Sequence, residues 1–597
     1  MERIALSTET LCAAFQATVA ERPGQVALRT PGGGTTITWE EYGRRVGNIA
    51  SGLAGLGVGR GDTVGIMMVN RPEFHLADTA ALHLGATPFS IYNTSAREQI
   101  EYLFTHAGNR VVVCEAAFVE RLQAARGGTV VASLVCVDGA PDGTIPLAAL
   151  EEAAAPVGFD FELSWQSVAP EDVLTLIYTS GTTGPPKGVE ITHANVMAEL
   201  RAVNAVLPIT AGGRTTSFLP TAHIADRALM HYASIVFGLE LTDVPDPRQV
   251  VAVLPEVRPT YWGSVPRIWE KIKAALDAQL DREPDEGRRQ AMRWAIDVGL
   301  AKVRAEQAGE PVSPELAADH EKADALVLSK IREKLGLDQA EWLVVGAAPT
   351  PREVLEFFAA LGLPLCEAWG MSELSGIATG NPPGRIKIGT VGPGLPGMEF
   401  ALAADGELKC RGPLVMKGYR NDPEKTAETI DADGWLYTGD VCTIDDDGYV
   451  TIVDRKKEII INAAGKNMSP ANIEARLKSA SPLIGQAVCI GDGRPYNVAL
   501  LVLDPDGAAA YCAEHGLADP SAKVLADDDG VRKAVAVAVE EANSHLSRVE
   551  QIKRFLILPL DWEPGGDELT PTMKLKRRPI AEKYVVEIEA LYAVSHS

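Results

Sequence analysis

The sequence predicts an α/β protein with a large N-terminal region of βα-layered sheets and a small α+β region at its C-terminal end. Helix-like and strand-like segments alternate from residue 38 onward: helix 39–56, strand 63–69, helix 71–84, helix 96–107 and strand 111–114. Such alternation indicates a mostly parallel sheet covered by helices. The chain has 597 residues. That length allows roughly two to four structural units.

Two helix starts carry the spacing of a capping box, Thr38 with Glu41 and Ser95 with Glu98. These pairs support the starts of helices 39–56 and 96–107. Residues 138–156 are rich in Gly, Pro and Ala. They are predicted to connect this region to a second βα unit.

The composition is typical of a soluble globular protein, with 46% hydrophobic and 23% charged residues. No apolar run approaches the ~20 residues of a membrane-spanning helix. The N-terminus lacks the apolar core and cleavage site of a signal peptide. We therefore expect a cytoplasmic protein. The eight cysteines contain no C-x-x-C pair and most sit in apolar runs, which favours reduced core residues.

The charge balance is acidic, with 80 Asp and Glu against 56 Lys and Arg, and a formal net charge of −24. This argues against nucleic acid as a partner. It does not exclude anionic ligands, because a polyphosphate needs only a locally basic pocket within an acidic surface.

The densest group of phosphate-binding residue types is the stretch from Tyr178 to Gly188, YTSGTTGPPKG. Glycine backbone can close N–H groups around oxyanions, hydroxyls add donors, and Lys187 brings a positive charge. A strand is predicted before it at 173–177 and a helix after it at 194–206. A Walker-type loop requires G-x-x-x-x-G-K-[ST], which this stretch does not match. A flexible linker of turn residues is the alternative interpretation.

At these residues the chain resembles the adenylate-forming superfamily of acyl-CoA synthetases, luciferases and peptide-synthetase adenylation domains, whose signature loop is Y-T-S-G-T-T-G-x-P-K-G. The resemblance implies ATP and Mg²⁺ as ligands, a large AMP-binding and acyl-binding domain at 1–455, and a mobile lid at 456–597. It implies catalytic roles for Thr179 and Lys187. It also implies that the loop holds ATP through Thr179, Ser180, Gly181, Thr182, Thr183, Gly184 and Lys187.

Two further motifs resemble those of long-chain acyl-CoA synthetases. Residues 218–227, FLPTAHIADR, resemble the segment that places an aromatic residue or His near the acyl carboxylate, here His223. A lone histidine would more often be structural. The family usually has Glu before Arg227, so Asp226 implies a changed salt-bridge geometry. Residues 261–270, YWGSVPRIWE, resemble the V-P-R-x-x-E-K element, which implies an acyl contact for Trp262.

Residues 281–335 are helix-rich, highly charged and interrupted at 309–311, as is the helical insert of long-chain members. A charged helical pair is normally a solvated cover. Peripheral contact with a membrane surface stays open as an alternative, because Arg288, Arg289 and Arg293 lie near Trp294.

The resemblance also implies nucleotide contacts in two later segments. Residues 343–349 are a predicted buried strand ending in a small-residue turn, where the family more often has two glycines. Residues 367–373, EAWGMSE, resemble the (Y/W)-G-(M/L)-(T/S)-E motif. There the aromatic ring faces adenine, the hydroxyl meets a phosphate, and Glu373 is a hard oxygen ligand for Mg²⁺. The implied ATP contacts are Gly346, Ala347, Glu367, Ala368, Trp369, Gly370, Met371 and Ser372, with Gly370 also at the acyl group.

Residues 434–440, GWLYTGD, resemble the motif whose aspartate, here Asp440, accepts both ribose hydroxyls. Residues 452–461 resemble the domain hinge of the family. The resemblance implies that Arg455 contacts the ribose and that Lys457 is the pivot. A KK pair would otherwise be ordinary surface.

Beyond the hinge, a small α+β lid is predicted from helix 470–479, which Ser469 caps, and strands 486–490 and 498–503. Residues 463–467, AAGKN, resemble the loop that lines the pantetheine channel. This implies contacts with coenzyme A at Gly465 and Lys466. Residues 569–577, LTPTMKLKR, resemble the terminal motif in which Lys574 is the adenylation lysine. A basic C-terminal run is otherwise a solvated tail.

Together the motifs predict ATP-dependent activation of a long-chain fatty acid to an acyl-adenylate, followed by transfer to coenzyme A. The predicted catalytic residues are Lys574, Glu373, Thr179, Lys187 and His223. The rival functions are loading of a carrier-protein thiol, luciferase-type oxidation, and a non-catalytic nucleotide-binding protein on the same fold. The sequence leaves the preferred chain length and the oligomeric state open.

Overall fold

The computed structural model describes residues 4–179, 185–463, 466–570 and 573–593. Helices and strands alternate along most of the chain, and the predicted α/β class is confirmed. The strands in chain order are β1 (Val26–Arg29), β2 (Thr36–Thr38), β3 (Thr63–Met67), β4 (Thr87–Ser90), β5 (Val111–Cys114), β6 (Ser133–Cys136), β7 (Ile145–Pro146), β8 (Val173–Thr179), β9 (Lys187–Thr192), β10 (Arg214–Ser217), β11 (Glu240–Asp243), β12 (Tyr261–Ser264), β13 (Trp342–Val345), β14 (Leu365–Met371), β15 (Gly376–Gly380), β16 (Glu399–Leu402), β17 (Glu407–Arg411), β18 (Gly418–Tyr419), β19 (Leu436–Ile444), β20 (Val450–Arg455), β21 (Ile460–Ile461), β22 (Asn467–Met468), β23 (Ile484–Ile490), β24 (Asn497–Leu503) and β25 (Ile552–Ile557).

The helices cover the sheets and form most of the connections between strands. In chain order they are α1 (Ile4–Ser7), α2 (Leu11–Glu21), α3 (Trp39–Gly55), α4 (Pro72–His83), α5 (Arg97–Ala107), α6 (Val119–Ala125), α7 (Leu147–Glu152), α8 (Phe161–Gln166), α9 (His193–Val206), α10 (Ala233–Phe237), α11 (Val250–Val257), α12 (Pro266–Asp281), α13 (Glu286–Gln307), α14 (Pro314–Ala323), α15 (Ser329–Leu335), α16 (Arg352–Ala360), α17 (Pro423–Thr429), α18 (Pro470–Ser479), α19 (Pro505–His515), α20 (Ala522–Leu525), α21 (Asp529–Ser544), α22 (Arg577–Lys583) and α23 (Val585–Ala593).

The parallel sheet predicted from the βα pattern is present. Its strand order is β4-β3-β5-β6-β7, and each neighbouring pair is parallel. Segment 138–156, predicted as a plain connection, contains β7 and the short helix α7. That prediction was incomplete because Leu147 and Leu150 of α7 are buried, and α7 packs on α3 at Gly52, where a Cβ would collide with the carbonyl oxygen of Leu150.

The residues on either side of the glycine-rich and hydroxyl-rich stretch, Thr179 and Lys187, lie on two paired antiparallel strands, which corrects the predicted junction between a strand and a helix. β8 pairs antiparallel with β9, with Thr179 opposite Lys187, and α9 begins only after β9 has ended. The segment forms a strand because Val189 and Ile191 are fully buried on one side of it. The predicted helix 194–206 is confirmed as α9.

One of the two capping predictions is confirmed, and the other was wrong by one residue. The Thr38 side chain accepts a 3.3 Å hydrogen bond from the backbone N–H of Glu41 at the start of α3. At α5 the N-cap is Ala96, whose N–H donates to Gln99 at 2.8 Å. Ser95 is not the cap, because its own N–H closes a turn onto the carbonyl oxygen of Tyr92.

The charged segment 281–335 forms α13, α14 and α15, with the predicted interruption at 309–311. Two of its three arginines near Trp294 already have acidic partners, Arg289 with Glu286 and Arg293 with Asp281. These pairs reduce the charge that a lipid surface would meet. Membrane contact stays a prediction.

The C-terminal region, residues 456–593, has the predicted mixture of helices and strands, with β23 antiparallel and β25 parallel to β24. α18 starts and ends at the predicted residues, and Ser469 caps it by accepting a 3.1 Å hydrogen bond from Asn472. The sheet β23-β24-β25 packs with α18 and α21 around a core of its own. The N-terminal region, residues 4–455, contains larger and separate cores.

All eight cysteines are free and buried, as predicted. In the part of the chain that the structure describes, none of the helices combines the length and the apolar character that crossing a membrane requires.

Candidate active site

Tyr419 joins two residues that the sequence motifs placed at the phosphates. Its hydroxyl donates a 2.8 Å hydrogen bond to Oε1 of Glu373, and Nζ of Lys187 lies 4.7 Å from the centroid of its ring. Tyr419 reaches this place because β18 pairs with β9, the strand that begins at Lys187. Sequence reasoning missed Tyr419, because only the glycine before an aromatic residue marks this short strand.

The lysine at the base of the hairpin lies in a partly buried, charged environment. Burial lowers the pKa of Lys187; Glu373 opposes that shift, and the nearby Lys425 and Lys457 add to it. Thr179 is at the other base of the hairpin, opposite Lys187. The remaining predicted loop contacts lie outside the described residues: Ser180, Gly181, Thr182, Thr183 and Gly184.

Glu373 sits in a tight 3-10 turn, Ser372–Leu374, directly after β14. Both Ser372 and Glu373 are buried. The turn leads into Ser375 and Gly376, whose φ angles of 64° and 145° lie in the region that favours glycine. This backbone returns the chain into β15 immediately behind the carboxylate.

A second buried carboxylate, Glu199 on α9, supports that turn from behind. Its Oε1 accepts a 2.8 Å hydrogen bond from the N–H of Ile377, and a Cβ at Gly376 would collide with the same oxygen. Its Oε2 is buried without a hydrogen-bond partner among the described residues. Burial raises the pKa of Glu199 to about 8, so at neutral pH the group is mostly a neutral acid. No sequence motif marked it.

Trp369, Asp440 and Arg455 form a hydrogen-bonded row at the predicted adenosine site. Trp369 Nε1 donates to Oδ2 of Asp440 at 2.8 Å, and Arg455 Nε lies 2.8 Å from the other carboxylate oxygen. Asp440 and Arg455 face each other across the antiparallel strands β19 and β20. Asp440 is buried, and burial raises its pKa, although Arg455 and the hydrogen bond from Trp369 oppose the shift.

Close backbone approach explains the small residues around this row. A Cβ on Gly370 would collide with the carbonyl oxygen of Gly376, and one on Gly346 would lie 2.8 Å from the carbonyl oxygen of Ala368. Ala347 is exposed and adopts φ 70°. A non-glycine residue in that conformation stores about 1–2 kcal/mol of strain. The β-bulge between Trp369 and Gly370 turns the strand here.

Two other predicted nucleotide contacts lie on the same strand, β14. Glu367 accepts a 3.1 Å hydrogen bond from the N–H of Gly389, and burial raises its pKa to about 7. Met371, the last residue of β14, is half-buried.

Lys574 of the C-terminal region lies near these groups. Its backbone closes a turn with Thr570, whose Oγ1 accepts a 3.0 Å hydrogen bond from the Lys574 N–H. Lys574 is exposed to solvent, but neighbouring protein groups partly desolvate its ammonium. That desolvation and the neighbouring Arg455 lower the pKa of Lys574, whereas Asp440 and Glu373 oppose the shift.

His223 lies near the same lysine. Its Nδ1 accepts a 3.2 Å hydrogen bond from the N–H of Ala225, which assigns the ring proton to Nε2. Burial, reinforced by the charge of Lys574, lowers the pKa of His223 to about 4. The imidazole is therefore neutral at neutral pH and can donate a hydrogen bond from Nε2.

Behind His223, the expected salt bridge at Asp226 and Arg227 takes another form. Arg227 pairs with the buried Asp78, which also accepts a 3.1 Å hydrogen bond from His231. Asp226 instead accepts from Ser217 at 2.8 Å, and burial raises its pKa to about 7. The expectation that shortening the acid would merely alter an existing salt bridge was wrong, because a distant aspartate supplies the counter-charge.

The structure describes two of the other residues that were predicted to contact the acyl group or coenzyme A, Trp262 and Lys466. Trp262 is fully buried, donates to Thr216 at 2.9 Å and stacks on Phe218, so it contributes to the core behind the site. Lys466 is exposed, and its N–H donates to Asn462 at 3.0 Å. Gly465 lies outside the described residues. These roles stay predictions.

Lys457 lies in an exposed turn. The residue before it forms ion pairs with the N-terminal region, and the residue after it forms one with the C-terminal region. The preceding Lys456 forms ion pairs with Asp405 and Glu407 of the N-terminal region. The following Glu458 pairs with Arg577 of the C-terminal region at 2.9 Å. A rotation of one region relative to the other would thus take place at the backbone of Lys457.

The residues fit a magnesium ion shared with a substrate. No group of three His, Cys, Asp or Glu side chains within the described ranges could hold a metal unaided. Mg²⁺ is usually held by one or two carboxylates together with substrate phosphates. Glu373, fixed by Tyr419 and near Lys187, meets that requirement.

A site that combines an aromatic face, a buried aspartate with its arginine, and a lysine from a second region has the features of an adenylate-forming enzyme. The chain belongs to the AMP-binding enzyme family, whose model matches residues 15–420, and the model of the AMP-binding enzyme C-terminal domain matches residues 457–596. The resemblance seen in the motifs is thereby confirmed.

Among similar proteins, one of Mycobacterium tuberculosis provisionally named fatty-acid–CoA ligase fadD11 is 57% identical over 451 residues, covering 76% of this chain and 79% of the relative. The long-chain-fatty-acid–CoA ligase FadD15 of Mycobacterium bovis is 35% identical, covering 94% and 92%. The adenylation domain of a carboxylate reductase from Mycobacterium chelonae has a TM-score of 0.78 at 20% identity, covering 99% and 92%. At that identity, the last similarity shows the fold alone.

Proposed function

We propose that this protein is a long-chain fatty acid–CoA ligase that forms AMP. It activates the acid with ATP to an acyl-adenylate and then transfers the acyl group to coenzyme A. The observation that carries the proposal is the position of Lys574. This residue of the C-terminal region lies close enough to Arg455, Asp440 and Glu373 for their charges to shift its pKa.

The adenosine is bound by the row on β14, β19 and β20. The indole of Trp369 offers a flat face to the purine. Both oxygens of Asp440 can accept ribose hydroxyls, while Trp369 and Arg455 fix the orientation of that carboxylate. Glycine at 370 and 346 allows the ligand to approach the backbone.

The polyphosphate is bound at the base of the hairpin. Lys187, Thr179 and the loop 180–184 provide charge and donors, and Glu373 would hold Mg²⁺. When bound, the metal neutralises phosphate charge and polarises phosphoryl oxygens. Tyr419 holds the carboxylate of Glu373 in one orientation through its 2.8 Å hydrogen bond.

In the first step a carboxylate oxygen of the fatty acid attacks the α-phosphate, and pyrophosphate leaves. Lys574 stabilises the negative charge that grows on the α-phosphate, and a phosphate bound beside this lysine raises its pKa again. His223, neutral with its proton on Nε2, donates to the acyl carboxylate and orients it.

In the second step the thiol of coenzyme A attacks the acyl carbonyl, loses its proton, and displaces AMP. The lid, residues 456–597, turns at Lys457 relative to the domain 1–455, so that the loop with Gly465 and Lys466 replaces Lys574 at the reaction centre. Large lid motions of this kind are absorbed by a few residues at domain junctions.

Transfer to a carrier-protein thiol is the second candidate. The relatives named as CoA ligases favour coenzyme A. A non-catalytic nucleotide-binding role is not favoured, because Lys574, the predicted catalytic lysine, lies close enough to Glu373, the predicted magnesium ligand, for its pKa to respond to that carboxylate.

Thioester formation from coenzyme A and a graded series of acids, from acetate to stearate, tests the proposal. Each buried CH₂ contributes ~0.8 kcal/mol, so efficiency is expected to rise with chain length. The same series is run with ATP–pyrophosphate exchange to isolate the first step. A maximum at acetate, or an aromatic acid better than every fatty acid, would contradict the assignment.

A further inference from the structure

The V-P-R-x-x-E-K segment, residues 265–271, has no part in the chemistry above, yet two of its basic side chains contact the C-terminal region. Arg267 Nη2 lies 2.6 Å from Oδ2 of Asp504. One helical turn later, Lys271 Nζ lies 2.7 Å from Oδ2 of Asp506. Both bonds cross between the two regions, which are also joined by a 3.1 Å ion pair between Arg476 and Glu353 and by the turn at Lys457.

Each end of this contact is held by a helix terminus. Arg267 is in the first turn of α12, and its Nη1 also lies 3.2 Å from Glu270 on the same helix. Asp504 is the N-cap of α19, where its Oδ1 accepts from the N–H groups of Asp506 and Gly507. One carboxylate oxygen therefore caps a helix while the other takes the guanidinium. Such anchoring reduces the side-chain entropy that is lost when the ion pair forms.

The two pairs differ in strength. The Asp504 side chain is only 12% exposed and that of Arg267 30%, whereas the figures for Asp506 and Lys271 are 83% and 47%. Partly buried, charge-assisted hydrogen bonds to Arg are stronger than exposed Lys pairs. Although burial alone would raise the pKa of Asp504, Arg267 and the capping N–H of Gly507 lower it. Arg267 is therefore the principal contact.

We propose that Arg267 and Lys271 are positioning residues for the first half-reaction. By holding the start of α19 they keep the C-terminal region in the orientation that brings Lys574 near Arg455, Asp440 and Glu373. This inference rests on the proposed function. Since the second step requires another orientation of the same region, these bonds must break between the steps. Weakening them slows adenylation and leaves thioester formation unimpaired or faster.

The test compares two half-reactions in Arg267→Gln, Asp504→Asn and the double variant. Asn still caps a helix, so Asp504→Asn removes the charge and keeps α19. ATP–pyrophosphate exchange reports the first step, and thioester formation from a presynthesised acyl-adenylate and coenzyme A reports the second. We expect each single variant to lose about 5- to 30-fold in exchange and nothing in thioester formation. The double variant should be no worse than either single one.

The exposed pair of Lys271 and Asp506 can be tested by exchanging its two charges, since a reversed pair should restore what a single reversal removes. Lys271→Glu is expected to lower exchange by about 2- to 5-fold, and adding Asp506→Lys should restore it. Arg304→Gln is the matched control, because Arg304 pairs with Glu356 within the N-terminal region. It should change neither step.

Equal loss of both steps in Arg267→Gln would mean general damage to the structure and would overturn the inference. So would unchanged exchange in both Arg267→Gln and Asp504→Asn, or failure of the charge exchange to restore Lys271→Glu. A wild-type protein that performs neither half-reaction with any acid would instead overturn the proposed function, and this inference with it.

Discussion

The hydroxyl of Tyr419 donates a 2.8 Å hydrogen bond to Glu373, while the ring of the same tyrosine lies 4.7 Å beneath the ammonium of Lys187. One side chain thus links the proposed magnesium ligand to the proposed phosphate lysine. The contact depends on the pairing of β18 with β9, two segments far apart in the chain, and the hydrogen bond to Glu373 adds a third. The site's geometry at the phosphates is therefore sensitive to a residue that binds no substrate.

Tyr419→Phe is expected to weaken the use of magnesium. The ring beneath Lys187 remains, but the carboxylate of Glu373 loses the donor that fixes its orientation. Loss of such a supporting hydrogen bond typically costs 10- to 100-fold in metal affinity. The measurement is ATP–pyrophosphate exchange as a function of Mg²⁺ concentration. Tyr449→Phe, which removes a hydroxyl bonded to Arg385 instead, is the control. An unchanged Mg²⁺ requirement in Tyr419→Phe would refute the proposed link.

Lys574→Ala is expected to abolish adenylation and spare the thiol step, because its charge is needed only where negative charge grows on the α-phosphate. Removing one preorganised donor of this kind costs ~10²–10³ in rate. The variant is supplied with a presynthesised acyl-adenylate and coenzyme A. If thioester formation falls as far as pyrophosphate exchange, the role given to Lys574 is wrong.

Lys457→Pro is expected to retain part of adenylation and to lose most of the overall ligation. Proline fixes φ near −65° and removes the N–H, which restricts the turn between the anchored residues Lys456 and Glu458. Lys457→Ala leaves the dihedral angles free and should keep both steps. Both half-reactions are measured in both variants. Equal losses in the proline form, or an alanine form equally impaired, would show that residue 457 is not a pivot.

Glu199→Gln is expected to change the pH dependence of stability. The pKa of this carboxyl is raised by burial from 4.5 to about 8, so between these values the folded protein holds a proton that the unfolded chain releases. Stability in the wild type therefore falls as pH rises through that window, by about 1.4 kcal/mol per pH unit from this group.

The neutral amide of Glu199→Gln has no such dependence. The Tm of the Glu199→Gln protein minus that of wild type should rise between pH 5 and pH 8 and stay constant above pH 8. Both are measured in thermal scans without nucleotide. Glu310→Gln, at an exposed position, serves as the control and should show a constant difference. Parallel Tm curves for wild type and Glu199→Gln would mean that Glu199 is ionised when folded.

Local signals were sufficient for much of the fold. The helix 470–479 was predicted at its observed bounds, because Ser469 and Pro470 are start signals that act within one helical turn. The strand 111–114 was likewise predicted at its observed bounds from four consecutive apolar residues. Where a neighbouring turn competed, as at Ser95, the local signal was misplaced by one residue.

The sequence by itself determined the αβ alternation, the motif residues and, through their resemblance, the family. The tertiary structure alone decided which residues meet: Tyr419 with Glu373, Asp78 with Arg227, and Arg267 with Asp504. It also made residues 187–192 a strand rather than part of the connection to the helix at 194–206, because β8 and β18 offer them backbone partners on both sides. Periodicity and capping act over a few neighbouring residues. Strand pairing and ion pairing join residues separated by tens to hundreds of positions, so no local pattern specifies them.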